Sequence, residues 1–147
     1  MEFKLERFFA RRCGAEGDPC LHFSKRQAYF DVEAVAMIKG IIRQTPNRVV
    51  FFFDKEKKVL AFCFIDGKCE GSLRLSVQKK DDNDGIRENW KTTISSLYER
   101  YPIISLLAQT NTDMREIHKI MHNYEEFEGT QMFAVDFNKE SIFDKRS

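Results

Sequence analysis

Residues 101–127 read YPIISLLAQTNTDMREIHKIMHNYEEF, and the structure assigned to this stretch decides how the rest of the chain is arranged. Residues 103–108 are an apolar run, short for a helix, preceded by Pro102 and followed by Gln-Thr-Asn-Thr-Asp. That pattern predicts a strand covered on both faces. Past the polar corner, Met114, Ile117, Ile120, Met121 and Tyr124 recur at helical spacing, Thr112 or Asp113 can serve as N-cap, and Glu116 favours the helix dipole in the first turn. A strand followed by an amphipathic helix is therefore expected.

On the N-terminal side, loose alternation over residues 1–9 predicts a first strand, and residues 11–22, with Gly14, Gly17 and Pro19, predict a loop. Ser24 and Gln27 have capping-box spacing for a short helix through Tyr29. Asp31 is the expected N-cap of a helix over residues 32–44, whose apolar face is Val35, Ile38, Ile41 and Ile42 and which Pro46 terminates. Residues 48–53 and 59–65 flank the charged turn 54–58 and predict a hairpin. The second strand is apolar on both faces and so belongs at the centre of a sheet with helices on each side. Asp66-Gly67 marks a turn, and Leu73, Leu75 and Val77 alternate with Arg74, Ser76 and Gln78 in a third strand. Residues 79–87, KKDDNDGIR, predict a polar loop. Trp90, Ile94, Leu97 and Tyr98 then predict a helix over residues 88–100, and residues 131–137 alternate as a last strand before a charged tail at 138–147.

The 147 residues suit one domain with its own core, for which fourteen Phe supply ample apolar area. A net charge of +1 without long blocks of one sign argues against nucleic acid as partner. No apolar run reaches spanning length, and MEFKLERFFARR carries charges where a signal peptide needs an apolar core, so a cytoplasmic protein with no membrane association is the expectation. Cys13, Cys20, Cys63 and Cys69 are then expected as reduced thiols. Cys13, Cys20 and His22 cluster in one loop, but their spacing fits no standard zinc pattern.

The order strand, helix, three strands, helix, strand, helix, strand resembles the acyl-CoA N-acyltransferase fold of the GNAT acetyltransferase family over nearly the whole chain. The resemblance implies a three-layer α/β domain. Its central mixed sheet would contain residues 48–53, 59–65, 72–78, 103–108 and 131–137, flanked by helices, with Ile94, Leu97, Ile117, Ile120 and Phe62 buried. Asn111 matches the Asn that follows the fifth strand in the family. His118 stands where the family has a Tyr, and Phe127 stands near the family's Gly-Phe. Gly85 matches a glycine of the cofactor motif, while Asp82 replaces the motif's Arg or Gln and Arg87 its second small residue.

The activity implied by the resemblance is acyl transfer from acetyl-CoA to the amine of a small molecule or protein. Gln78, Lys79, Gly85, Ile86, Arg87 and Asn111 would then meet the cofactor, and His118 would act as the general acid. The departures at Asp82 and Arg87, with Asp81 and Asp84 beside them, equally suit a non-catalytic member of the fold. Such a member is a binding or structural protein, like the degenerate acetyltransferase-like proteins among phage virion components, and it would act through a protein partner or a homo-oligomer. His118 and His122, four residues apart on the expected helix, offer two metal ligands without a third. Residues 51–53, three consecutive Phe, suit either core or a partner-binding patch.

Overall fold

The computed structural model describes residues 2–5, 18–67, 69–82, 85–108 and 113–139. Within them, Cys20–Phe23 (β1) and Gln27–Phe30 (β2) form a tight hairpin, and Val32–Ile42 is a helix (α1). Arg48–Asp54 (β3) and Val59–Ile65 (β4) form a second hairpin, Leu73–Arg74 (β5) runs directly into Ser76–Asp82 (β6), and Gly85–Thr93 is β7. Two short helices follow, Ser95–Arg100 (α2) and Pro102–Ala108 (α3), and then the strands Met114–Glu116 (β8), His118–Ile120 (β9) and Met132–Asp136 (β10).

The strands make two antiparallel sheets in the orders β6-β7-β2-β1-β8 and β5-β3-β4-β10-β9. Each edge of one sheet continues into an edge of the other. Residues 73–82 leave β3 and join β7 at Leu75, and residues 114–120 leave β1 and join β10 at Ile117. Both corner residues point into the common core. Their N–H groups stay bonded, Leu75 to Asn47 O at 3.0 Å and Ile117 to Pro19 O at 2.9 Å. The sheets are therefore closed on one another as a flattened barrel whose corners are strands that change sheet.

The interior is aromatic. Phe30 packs against Phe62 at 5.5 Å and Phe64 at 5.4 Å, Phe64 against Trp90 at 5.3 Å, and Phe62 stacks with Phe133 at 6.0 Å. These rings come from alternate positions of β2, β4, β7 and β10, so a period-two pattern on four strands fills one core. Helices cover both ends. At one end α1 buries Ala34, Val35 and Ile38 in the core, its start capped by Asp31, whose Oδ1 accepts from Ala34 N at 2.8 Å, and its end by Arg43 in the left-handed region. At the other, Ile104 and Ala108 of α3 enter the core, the Tyr98 hydroxyl donates to Ser24 O at 2.8 Å, and Tyr101 packs on Phe53.

The sequence expectations hold for α1, for the hairpin of β3 and β4, and for β10. Several others are corrected. Residues 103–108 are helical: Pro102 occupies the first helical turn, where its missing N–H is harmless, and Leu and Ala favour a helix. Only Ile104 and Ala108, one turn apart, are buried, and Leu106 is 78% exposed. Residues 114–116 and 118–120 are strands and residues 121–124 belong to the loop after them, in place of the expected helix, because the chain turns a corner at Ile117, and that turn converts strand alternation into an apparent spacing of three. Residues 79–82 and 85–87 are paired strands rather than a loop, and residues 88–93 are strand rather than helix. Glu88, Trp90 and Thr92 face inward at period two, and the helix starts only at Ser95. Ser24 closes the β1–β2 turn through its hydroxyl instead of starting a helix. Residues 2–5 are not in a strand, and residues 6–9 and most of the 11–22 loop lie outside the described residues. Helices and strands are thus mixed, but the sheets are antiparallel and the apolar outer face of β4 is covered by a loop. Of the five residues expected inside, Phe62, Ile94 and Ile117 are buried, while Leu97 and Ile120 are only partly so.

Candidate functional site

The outer face of the second sheet is apolar where a one-sided sheet is normally polar. Val50 and Phe52 of β3, Ala61 and Cys63 of β4, Met132 of β10 and Ile120 of β9 share that face by register. The chain returns over it in residues 121–131. The 3-10 turn Glu125–Phe127 places Phe127 at 5.6 Å and Tyr124 at 4.8 Å from the Phe52 ring. This loop is held by its own hydrogen bonds: Gln131 Nε2 donates to Ile120 O at 3.2 Å, and Tyr124 N donates to His122 Nδ1 at 3.3 Å. The other ring nitrogen of His122, Nε2, faces Thr130 O, so the ring clasps the loop from both nitrogens.

The cover is incomplete. A groove of about 730 Å³ remains between the loop and the β3–β4 turn, floored by Phe52, Ala61, Ile120 and Met132 and walled by Met121 and Tyr124. Met121 is 99% exposed and Tyr124 about half exposed. The rim at residues 54–57 carries Asp54, Lys55, Glu56 and Lys57, two charges of each sign, so it imposes no net polarity on a ligand. Beside the groove, β9 is hydrogen-bonded to β10 along one edge and has no ladder partner on the other among the described residues.

Of the residues singled out in the sequence, His118 lies on β9, half-buried and on the same face as Ile120, two positions from the groove. Gln78 and Lys79 are on β6, paired with Asn89 and Glu88, and Gly85, Ile86 and Arg87 start β7. Gly85 has φ of 117°, a conformation that suits glycine, and Gly85, Ile86 and Arg87 are all exposed. These residues lie along a two-stranded arm of the first sheet, while His118 belongs to the second; Asn111 lies outside the described residues. The N–H groups near Gly85 therefore belong to a hairpin and not to a helix start, so they do not form the cradle that a coenzyme A pyrophosphate would use. Of the groove residues, the Phe51–Phe53 run stood out in the sequence, and Ile120, Met121 and Tyr124 stood out as the apolar face of a helix that the structure replaces with strand and loop. The usable signal was the apolarity of β4 on both faces with no second helix to cover it.

Charged groups elsewhere serve the fold. Burial pushes the Glu88 carboxyl up, but hydrogen bonds from Trp90 Nε1 at 2.8 Å and Lys39 Nζ at 3.2 Å, with the charges of Lys39 and Lys79, outweigh it and hold the carboxyl below its usual range. Burial, helped by Cys69, pushes the Cys63 thiol up to about 11, and burial with Asp113 pushes the Tyr98 hydroxyl up to about 12. Neither is tuned for proton transfer near neutral pH. Cys20 and His22 share one face of β1, with His22 Nε2 3.6 Å from Asp31 Oδ2, the carboxylate that caps α1; Cys13 lies outside the described residues. Among the described residues no group of three or more His, Cys, Asp or Glu is placed to hold a metal, and no helix is long and apolar enough to cross a membrane. No protein-family model, curated protein or solved structure matches the chain.

Proposed function

We propose that this domain is a non-catalytic binding module that takes an extended apolar peptide segment of a protein partner into the groove on the second sheet. The observation that carries this reading is the coincidence of an aromatic and Met-lined groove with an edge strand that has no ladder partner on one side among the described residues. An added strand would satisfy the open edge of β9 with main-chain hydrogen bonds, and the segment continuing from it across the sheet would lay its side chains on Met121, Tyr124 and Phe52 in the groove. The volume of about 730 Å³ lies within the range of ligand sites, and Met121 brings the adaptable thioether common on peptide-binding surfaces. The balanced rim charge fits an uncharged segment.

The alternative, acyl transfer from acetyl-CoA with His118 as acid, rests on the family resemblance, and the elements that carried it take other forms: residues 103–108 are helix, residues 114–116 and 118–120 strand, and residues 79–82 and 85–87 paired strands. The binding reading is favoured because it needs only groups that the fold brings together.

The test is a titration of labelled protein with an acetylated, amidated hexapeptide alternating Phe and Thr, followed by amide chemical shifts. Saturable shifts confined to β9, residues 121–124 and the β3–β4 turn, lost in Phe52→Ser, are the expected result. Shifts absent throughout, or unchanged by Phe52→Ser, would overturn the proposal. Addition of acetyl-CoA to the same sample separates the two readings, since shifts at Gly85–Arg87 would favour the acyltransferase.

A further inference from the structure

The loop over the outer face of the second sheet is fastened in two unequal ways. At its base the fastening is polar: Gln131 Nε2 donates to Ile120 O at 3.2 Å and to Met132 O at 2.7 Å, His122 Nε2 lies against Thr130 O, and Met132 pairs with Ile120 in the ladder. Residues 123–129, beyond that base, are bonded only to one another and to the base. Tyr124 N donates to His122 Nδ1 at 3.3 Å, Phe127 N to Tyr124 O at 3.1 Å, Glu128 N to Glu125 O at 3.2 Å and Thr130 N to Phe127 O at 2.9 Å. Among the described residues no hydrogen bond or ion pair joins this tip to the sheet beneath it, and Glu125, Glu126 and Glu128 all stand exposed.

What holds the tip down is apolar. Phe127 is its one buried side chain, in a cluster with Val50, Cys63 and Met132, and the rings of Phe127 and Tyr124 rest on Phe52 at 5.6 and 4.8 Å. Gly129, at φ 85°, supplies the left-handed residue where the tip rejoins the base. A segment with few buried apolar contacts and no bonds to its neighbours belongs to the part of a fold that opens first. Phe52 links this tip to the groove. Its ring lies under Tyr124 and Phe127 and also floors the groove, so whatever fills the groove bears on the ring that seats the tip. With the tip lifted, the groove floor would continue across the sheet to Val50 and Cys63, which share that face.

We propose that residues 123–129 are a hinged flap that lifts off the second sheet on its bonded base, and that the partner's segment displaces Phe127 to occupy the whole face. The closed flap is then an internal competitor, and the affinity the partner experiences is its intrinsic affinity reduced by the fraction of molecules that are open. The competition rests on the groove reading; the flap itself does not.

Cys63 reports the flap without any ligand. It is fully buried on the face that the flap covers, so a neutral disulfide reagent, dithiodipyridine, reaches it when that face opens. Cys63 labelling in the folded Cys69→Ser protein is read by peptide mass, with fluorescence of the lone Trp90 following global unfolding. Labelling is expected well below the unfolding transition, with a much shallower dependence on urea than that transition. Phe127→Ala should speed it by about tenfold or more, as loss of one large buried ring implies. Ile104→Ala, which weakens the core beneath α3, should leave it nearly unchanged. The hexapeptide alternating Phe and Thr should bind Phe127→Ala more tightly, by about the factor seen in labelling. Labelling that tracks the Trp90 transition in urea, or that Ile104→Ala accelerates as much as Phe127→Ala does, would overturn the flap whether or not the hexapeptide binds. Hexapeptide affinity unchanged by Phe127→Ala, in a protein whose labelling does respond, would overturn the competition. Absence of hexapeptide binding to either protein would remove the groove reading and the competition with it, and the labelling would still decide the flap.

Discussion

Arg115 ties together the end of the barrel that α2 and α3 cover, and replacing it tests that architecture directly. Its Nε donates to Asp113 Oδ2 at 2.7 Å, Nη2 donates to Leu107 O at 3.1 Å at the end of α3, and Nη1 reaches Lys139 O beyond β10. The guanidinium also lies 5.4 Å from the centre of the Phe137 ring. Both partners of the ion pair are buried, Arg115 at 7% exposure and Asp113 at 4%. In Arg115→Met the packing volume is largely kept, while a buried carboxylate loses its counter-charge, a change that typically costs about 3–5 kcal/mol. Loss of donors to two carbonyls adds to this, so a destabilisation of about 4 kcal/mol is expected, a large share of the ~5–15 kcal/mol that holds a domain together. The lone tryptophan, Trp90, reports unfolding from inside the core. With a urea slope of about 2 kcal/mol per molar, the midpoint should fall by about 2 M. Adding Asp113→Asn should restore at least half of the loss by removing the stranded charge. A single variant that loses less than about 1 kcal/mol, or a double variant no more stable than the single, would refute the argument that this pair is buried and joins three elements.

Three further outcomes are expected. Ile104→Ala should cost about 2–5 kcal/mol and Leu106→Ala less than about 0.5 kcal/mol, in urea unfolding; equal losses would mean that residues 102–108 do not present one helical face to the core. Because the folded Glu88 carboxyl sits below its ordinary value of 4.5, its stabilising contribution is present above that pH and is lost as the pH falls through the lower folded value. The stability gap between wild type and Glu88→Gln should accordingly be full at pH 7 and close in acid; a gap that widens below pH 4 would contradict the bonds from Trp90 and Lys39. With its thiol raised to about 11, Cys63 should resist iodoacetamide at pH 8 in the folded protein while Cys69 reacts, and alkylation of Cys63 at the rate of Cys69, read by peptide mass, would place it outside the core.

Groove and barrel corner were legible to different degrees. The run Phe51–Phe53 and the two apolar faces of β4 announced that something must cover that sheet on each side, and a loop bearing Tyr124 and Phe127 does so in part. Nothing in the local sequence showed that residues 73–74 and 76–82 belong to different sheets. They lie on strands that separate only because Leu75 turns from one sheet to the other, and that turn has no signature of its own. The loop assigned to residues 79–87 illustrates the same gap: Asn-Asp-Gly is hairpin chemistry, but its charged flanks hid a strand pair whose support comes from β2.

What the sequence determined alone is whatever depends on neighbours along the chain. Asp31 caps α1, Pro46 lies beyond its end, the turn at residues 54–58 joins two β-branched and aromatic strands, and the apolar run at residues 132–135 forms a strand. The tertiary structure decided the rest. The stretch 101–127 contains one apolar run that fits either a short strand or a short helix and one spacing that fits either a helix or a strand turning a corner. Local propensity separates these alternatives by only a few tenths of a kcal/mol per residue, whereas burying Ile104 and Ile117 in a shared core is worth roughly 1.5–3 kcal/mol each. Burial therefore chose, and it is a property of the closed barrel, not of any segment that builds it.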